Sequence, residues 1–340
     1  MLSLPSILAG SILGSLILYA LLGGADFGGG VWDLLARGPR ADAQRRLIAR
    51  AIGPVWETNH IWLIVAIVIL FTGFPPAFAA ISTVLFVPLT LLLAGIVIRG
   101  AAFAFHAYHL HEEHGAGRWG TLFAGASLVT PVLLGVTIGA LSSGRIPSEP
   151  LTFTGDTSIW LAPFPLSVGV LTLSAFSYLA AVYLIMETDD PDLRSDFRSR
   201  ALWSAAMVIL LSVFVPVIAA SGAPDFHGAL TGSDWFVSLV MFNATATLGA
   251  CVSLVISAYR LARICAAAQV ALILLGWGQA QFPFLARPAI TFASSASSPS
   301  TLRLLLFFLA AGAVLLFPAV FLLMRIFKRE ALSGRYGEPS

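Results

Sequence analysis

An uncharged stretch of 41 residues, TNHIWLIVAIVILFTGFPPAFAAISTVLFVPLTLLLAGIVI, occupies positions 58 to 98 and decides the fold. One helix needs about 20 apolar residues to cross the hydrocarbon core of a bilayer, so this stretch is long enough for two crossings. Gly73, Phe74, Pro75 and Pro76 stand near its middle. Proline interrupts a helix, because it lacks the amide proton and clashes with the preceding turn. The stretch therefore predicts two membrane helices joined by a break.

The remaining chain has the same character. Of its 340 residues, 58% are hydrophobic and 11% are charged, whereas an average soluble domain has about 25% charged residues. The apolar runs lack the alternation of a membrane β-barrel, so we predict an all-α integral membrane protein. About nine transmembrane helices are expected, at 5–35, 54–72, 77–105, 119–142, 159–187, 199–221, 235–260, 263–285 and 303–327.

The connections between these helices are short, so no soluble catalytic domain is expected. We predict that residues 1–340 form one transmembrane domain of two four-helix bundles plus one peripheral helix. The segment METDDPDLRSDFRSR at 186 to 200 is expected to be a charged loop. The segment SSASSPS at 294 to 300 is expected to be a flexible connector.

The distribution of basic residues indicates how the chain is oriented in the membrane. Fifteen of the 19 lysines and arginines fall in connections on one side of the predicted membrane or after the last helix. By the positive-inside rule that side is cytoplasmic, which places the N-terminus in the periplasm and the C-terminus in the cytoplasm. Orientation and contact with anionic lipid account for the basic loops, so no nucleic acid partner is predicted.

A few ionisable residues lie within the predicted spans: Asp26, Glu57, His60 and Arg99. A charged side chain at the centre of a membrane helix costs about 2.5 to 3.5 kcal/mol on insertion scales, so such residues face protein or water. The topology places Asp26, Glu57 and Arg99 toward the cytoplasmic side. Two interpretations stay open at this point: an ion-paired set that joins three helices, or a proton-conducting cluster.

Two short segments surround these residues. PVWETNHIWLI at 54 to 64 contains Trp56, Glu57, Asn59, His60 and Trp62; interface anchoring explains the tryptophans as well as cofactor contact does. His60 follows Glu57 by about one helical turn and either extends a proton relay or packs as a hydrogen-bonded residue. LLGGADFGGGVW at 21 to 32 surrounds Asp26 with glycines, which are expected to make room for predicted helices two and three, or for water.

No metal or cofactor site is predicted in this chain. His106 and His109 share a helical face, but the surrounding HAYHLHEEH segment is more typical of a solvated loop end than of a metal site. The sequence has no motif for nucleotide binding or covalent haem attachment. Histidine and methionine are too scarce within the spans for several haems. Cys251 and Cys265 have no metal-binding spacing and are expected to be apolar fillers.

Several motifs together resemble one family. They are GADFGGGVWDLL at 24 to 35, RAIGPVWETNHIWLI at 50 to 64, FTGFPPAFAAIS at 71 to 82 with Arg99, SLVTPVLLGVTIGAL at 127 to 141 and FPFL at 282 to 285. This set is similar to subunit II of the cytochrome bd type quinol oxidases, over nearly the whole chain. The resemblance implies a bacterial cytoplasmic (inner) membrane protein of aerobic respiration.

The resemblance also implies a function. Subunit II of that family forms a heterodimer with a larger subunit I, which carries two b-type haems and haem d and oxidises quinol. Subunit II binds no haem; it stabilises the heterodimer and contributes to cytoplasmic proton uptake for reduction of O2 to water. The family's functional positions fall on Asp26, on Glu57 with Trp56 beside it, and on Arg99. Membrane lipid, quinone and a small accessory membrane subunit are further partners compatible with the resemblance.

The chain departs from the family at two places. Some members have aspartate at the position of Glu57, and some carry another acid where this chain reads Ala101 to Phe105.

Two alternative functions remain. A proton-coupled secondary transporter also places acids in glycine-rich helices. Against a transporter, the charged cluster lies toward one face, and no matching pair of interrupted helices is found in the second half. A purely structural partner, with Asp26 and Glu57 packed on Arg99, is the other alternative.

Overall fold

The computed structural model describes residues 3–53, 56–109, 116–147 and 155–332, without the side chains of 56–58, 106–109, 116–117, 321 and 323–332. The helices are α1 Leu4–Leu34, α2 Ala41–Ile52, α3 Trp56–Gly73, α4 Pro75–Val84, α5 Phe86–His109, α6 Ala116–Ser142, α7 Pro163–Leu184, α8 Pro191–Gly222, α9 Pro224–Thr231, α10 Phe236–Val255, α11 Tyr259–Gln281 and α12 Pro299–Leu332. Strands β1 Phe284–Ala286 and β2 Ile290–Thr291 form an antiparallel hairpin, with Phe284 opposite Thr291 and Ala286 opposite Ile290.

The all-α membrane fold is confirmed. Among the described residues, eight helices are long and apolar enough to cross a membrane, and the bent pair α3–α4 makes nine. Prolines stand inside three helices, at Pro131, Pro216 and Pro318. Membrane helices tolerate such prolines, because neighbouring helices and local adjustments satisfy the freed carbonyl groups.

The prediction of one helix over 77–105 is wrong. α3 and α4 meet at an angle of 116°, and α4 ends at Val84 before α5 begins at Phe86. Pro75 and Pro76 start α4, where a missing amide proton costs nothing. Pro88 lies in the first turn of α5; in a continuous helix its ring would clash with the carbonyl of Val84. The two prolines and Pro88 thus isolate a short helix at the end of the span.

The charged segment 186–200 is largely helical, so the prediction of a loop is wrong there. Helix α8 begins at Pro191, eight residues before the predicted start at 199. The Asp190 carboxylate accepts hydrogen bonds from the amides of Asp192 at 2.8 Å and Leu193 at 3.4 Å. An aspartate cap followed by proline is a typical helix start, and the strong apolar run that follows obscured it in the sequence.

The boundary between α10 and α11 also differs from the prediction. Helix α10 ends at Val255 instead of 260, and α11 begins at Tyr259 instead of 263. Ser257 has a φ of 62°, in the left-handed region, so the chain turns sharply there. The turn therefore precedes Arg260 and Arg263, which lie in the first turns of α11.

The helices pack around a central set. α1, α6 and α7 contact one another extensively, while α3 packs chiefly on α1, α5 on α6, α8 on α7 and α10 on α11. Because α7 packs on α1 and α6 as well as on α8, the two four-helix bundles stay a prediction. α12 contacts α3 and α1 and is the peripheral helix. We call the end of the bundle that carries α2 the α2 end, and the opposite end, with β1 and β2, the hairpin end.

The connector before α12 is bound to the bundle, contrary to the flexible connector that the composition predicts. The Ser297 amide donates to the carbonyl of Gly73 at 2.8 Å, and its hydroxyl donates to the carbonyl of Thr72 at 2.7 Å. The Arg287 amide donates to the carbonyl of Leu141 at 2.9 Å. The last carbonyls of α3 and α6 thus receive hydrogen bonds that the helices themselves do not supply.

Candidate functional site

A buried polar cluster lies between α1, α3 and α5. Asp26 of α1 is 5% exposed and Asn59 of α3 is 2% exposed. The Asn59 amide donates one hydrogen bond to Oδ2 of Asp26 and another, at 3.3 Å, to the carbonyl of Leu22. A neutral amide, not a cation, is therefore the direct partner of this carboxyl group.

The glycines of α1 bring other helices close to Asp26. A Cβ atom on Gly28 would meet the carbonyl oxygen of Phe176 and lie 2.7 Å from Cβ of Ala180, both on α7. Gly24 faces the ring of Phe176 as well, so the G-x-x-x-G spacing forms the α1–α7 contact. Gly23 faces Asn59 of α3, as expected. Gly29 faces α2 and Gly30 faces α6, so the expectation that the glycines chiefly admit predicted helices two and three is wrong.

Arg99 of α5 is 1% exposed and lies between aromatic rings. Its guanidinium carbon is 4.7 Å from the ring centre of Phe27 and 5.2 Å from that of Phe123. Among the described residues, Nε and Nη2 of Arg99 have no hydrogen-bond partner, and no N–O contact within 4 Å joins Arg99 to Asp26. The two groups still act on each other electrostatically. Cation–π contacts therefore supply part of the stabilisation of this buried charge.

His60 is half-buried and adjoins Asn59 on α3. Its Nδ1 lies 3.4 Å from the hydroxyl of Tyr19, and the ring centre of Phe27 is 6.1 Å from that of His60. Tyr19 belongs to none of the sequence motifs that mark the site. Its position seven residues before Asp26, two helical turns on the same face, was the available signal.

The structure brings Asp26 and Arg99 of the predicted route together with Asn59 and His60, two of the predicted supporting residues. Trp62 lies apart from them: its ring packs 5.6 Å from that of Phe317 on α12. Trp56 and Glu57 begin α3, but their side chains lie outside the described residues. The side chains of His106 and His109 also lie outside them.

A second polar group ties α2 to α8. Arg40 donates to Asp196 from Nε at 2.9 Å and from Nη2 at 2.6 Å. Gln44 donates to the same carboxylate at 2.7 Å and accepts from Arg200 at 2.7 Å. The Asp196 carboxylate raises the pKa of Arg40, so the guanidinium remains charged. These bonds hold α2 beneath α1, where Ile52 contacts Gly29.

An apolar cavity of about 720 Å³ lies among the helices of the bundle. Its wall is formed by α1, α6, α7, α8, α9, α10 and α11. Tyr19 belongs to this wall and to the polar cluster, so it stands between the two. Gln269 also lines the cavity; it is 1% exposed, and its Oε1 has no hydrogen-bond partner in the described part of the chain.

Comparison with known proteins identifies the family. The family described as cytochrome bd terminal oxidase subunit II matches residues 4–327. The chain belongs to this family. It is therefore a subunit of an oxidoreductase complex, the cytochrome bd oxidase, which implies a subunit I partner.

The relatives in this family match the chain over different shares of their length. A Bacillus subtilis protein, provisionally named cytochrome bd menaquinol oxidase subunit II, is 23% identical over 96% of this chain and 97% of its own length. Cytochrome bd-I ubiquinol oxidase subunit 2 of Escherichia coli is 30% identical over 58% of this chain and 52% of its own length. A chain of the bd oxidase structure from Geobacillus thermodenitrificans superposes with a TM-score of 0.81 over 95% of this chain and 98% of that chain, at 21% identity. This similarity shows that the two chains share a fold.

Cytochrome bd oxidases carry haems, but His60, Met207 and Met241 of this chain are not placed to ligate one. An axial ligand is a histidine or methionine directed into the bundle. Met207 and Met241 are 45% and 64% exposed on the bundle surface. The ring of His60 is already contacted by Tyr19 and Phe27. No step proposed below passes through a haem held by this chain.

Proposed function

We propose that this subunit II stabilises the haem-bearing subunit I of a quinol:O2 oxidoreductase and conducts protons from the cytoplasm for reduction of O2 to water. The observation that carries the proposal is the buried carboxyl group of Asp26, held by the amide of Asn59. Because no ion pair of Asp26 within the described residues must break, this carboxyl group is able to take up and release a proton. Arg99 stabilises its charged form from a distance.

The direction of the route follows from the positive-inside rule. The α2 end carries most of the basic residues and is proposed to be cytoplasmic, in the inner membrane of a bacterium. Glu57 begins α3 at this end and is proposed to receive protons before Asp26. Trp56 is proposed to support Glu57, and Trp62 to hold α3 in place through its contact with Phe317 of α12. In the complex, two b-type haems, haem d and the site of quinol oxidation are assigned to subunit I.

Exposed apolar faces support the stabilising role. Ile64, Ile67 and Phe71 of α3 are 58%, 47% and 59% exposed, and His60 precedes Ile64 by one turn on the same face. The faces of α3 and α5 flank the polar cluster. Subunit I is proposed to cover these faces, which would bring it next to His60; a small accessory membrane subunit would bind elsewhere.

A transporter function is less well supported. Transporters of the relevant class place substrate at the midplane between interrupted helices. In the described chain, the one interruption between bent paired helices, α3–α4, lies at the hairpin end, far along α3 from Asn59. Membership of the oxidase family also favours the oxidase function over a transporter.

Purification under gentle conditions tests the proposed function directly. We expect the tagged chain to be recovered with a haem-bearing partner, the visible absorption of haem d, and quinol-dependent oxygen consumption. Recovery of the chain alone, or of a complex without haem and oxygen consumption, would contradict the proposal. The Arg287 and Ser297 contacts at the hairpin end should be preserved by mild detergent, because they lie within this subunit.

The cavity is proposed to hold a lipid or quinone molecule. Its wall is almost wholly apolar, which suits an acyl or isoprenoid chain, while Gln269 and Asn243 supply hydrogen-bonding groups for a polar head. The side-chain amide of Asn243 already donates to the backbone carbonyl of Gln269 at 3.1 Å, so the two residues are neighbours in the cavity wall.

Extraction of the purified complex with organic solvent tests this occupant. We expect mass spectrometry to find about one tightly held lipid or quinone per complex beyond the quinol site of subunit I. Gly276→Leu, which adds a side chain toward the cavity lining beside Leu239, should lower this amount. Gly10→Leu, where nothing lies within 4 Å, is the control and should leave the amount unchanged. Equal amounts in both variants would contradict the cavity as the binding place.

A further inference from the structure

Two polar contacts connect α1 with α3, one above the other. Asn59 contacts Asp26, and the next residue, His60, contacts Tyr19. Tyr19 and Asp26 lie seven residues apart on one face of α1, a rise of about 10 Å. The second contact therefore extends the polar cluster from Asp26 toward the hairpin end.

The hydroxyl of Tyr19 has a defined environment. The residue is 2% exposed, and its ring centre lies 6.5 Å from that of Phe27 in an edge-on arrangement. Among the described residues, His60 Nδ1 is the partner of this hydroxyl, at 3.4 Å. Packing on Phe27 and on its neighbours in the cavity wall fixes the tyrosine ring, so the hydroxyl is held within reach of the imidazole.

We propose that Tyr19 is a positioning residue of the proton route and acts through His60. A tyrosine hydroxyl that donates to Nδ1 selects the neutral imidazole tautomer with its proton on Nε2. The same contact fixes the ring plane, so that Nε2 is directed away from Tyr19. His60 is half-buried and shares its helix face with the exposed Ile64, and its Nε2 therefore marks where the route leaves this subunit.

This inference rests on the proposed proton uptake. It adds the place at which the proton route leaves this subunit. The charged groups that act on the pair are Arg99, which interacts electrostatically with both side chains, and Asp26, which interacts with Tyr19. Glu57 precedes His60 by one turn on α3. Neither Tyr19 nor His60 gains or loses a proton in this role: the Tyr19 hydroxyl keeps its proton and donates a hydrogen bond to Nδ1, and the Nε2–H group of His60 is left to donate a hydrogen bond to the next acceptor of the route.

The variant Tyr19→Phe tests the inference, because it removes the hydroxyl and keeps the ring that packs on Phe27. We expect the complex to assemble with its haems and to consume oxygen about tenfold more slowly. His60→Ala should cause a similar loss. The double variant should be no slower than His60→Ala, since the hydroxyl acts only through the imidazole.

Tyr178→Phe is the matched control. Tyr178 is fully buried in the same bundle, and its hydroxyl has no hydrogen-bond partner in the described part of the chain, so oxygen consumption should be unchanged. Additive losses in the double variant, full activity of Tyr19→Phe, or failure of Tyr19→Phe to assemble would each overturn the inference. If Asp26→Asn is inactive while Tyr19→Phe is fully active, the proposed function stands and this inference fails; if both are fully active, both fail.

Discussion

The variant Asp26→Asn is expected to consume oxygen about a hundredfold more slowly than the unchanged complex, at equal haem content. Asparagine has nearly the volume of aspartate and can still meet Asn59 and the packed glycines of α1. It cannot take up and release a proton, so the proposed route would be interrupted at a residue that is 5% exposed. Oxygen consumption with saturating quinol, normalised to the absorption of haem d, is the measurement.

Asp192→Asn is the control for this prediction. It makes the same change of carboxylate to amide at an exposed position of α8, where the side chain is 73% exposed and lies 3.8 Å from Arg40. We expect it to retain most of the activity and all of the haem. If Asp26→Asn retains full activity, Asp26 is not in the route; if it loses haem and activity in parallel, the carboxyl group stabilises the complex instead.

The variant Gly28→Ala is expected to destabilise the subunit by about 3 kcal/mol, the upper end of the cost of overpacking a well-packed interior. The added methyl group would meet the backbone carbonyl of Phe176, which cannot move without shifting α7. Helices α1 and α7 would be forced apart. The wall that separates the polar cluster from the cavity would then be disrupted as well. Thermal unfolding of the purified complex and its yield measure the effect.

Gly14→Ala tests whether the effect is one of packing. Gly14 lies in the same helix, and no side chain or neighbouring helix in the described part of the chain lies within 4 Å of the position that a Cβ would occupy. Alanine favours a helix over glycine by about 1 kcal/mol, so this variant should be as stable as the unchanged chain or slightly more stable. Equal losses at both positions would show that α1 is sensitive to any side chain, not to the contact with α7.

The residues of the polar cluster can be located from the sequence, but their contacts with one another cannot all be predicted from it. Buried charge in an apolar span is costly, so Asp26 and Arg99 were recognisable as residues that must face protein. Asn59 was recognisable only as a neighbour of Glu57. That its amide holds Asp26, while Arg99 rests on Phe27 and Phe123, depends on how α1, α3 and α5 are rotated against one another.

Tyr19 shows why the remainder could not be predicted. An isolated tyrosine in an apolar helix is common, and its hydroxyl finds a partner only if a particular face of the helix meets another polar residue. The two turns between Tyr19 and Asp26 give them a shared face. Whether His60 stands opposite that face is set by the register of α3 against α1.

The sequence by itself determined the number of spans, because the hydrocarbon thickness fixes how many apolar residues a crossing needs. It also located the break at Gly73–Pro76 and the family, through motifs that are local in the chain. Only the tertiary structure decided that the glycines of α1 receive α7, α6 and α2, that Asp196 anchors α2, and that Tyr19 meets His60. Those contacts join residues distant in the chain, and they depend on helix rotation and approach, which apolar composition leaves unspecified.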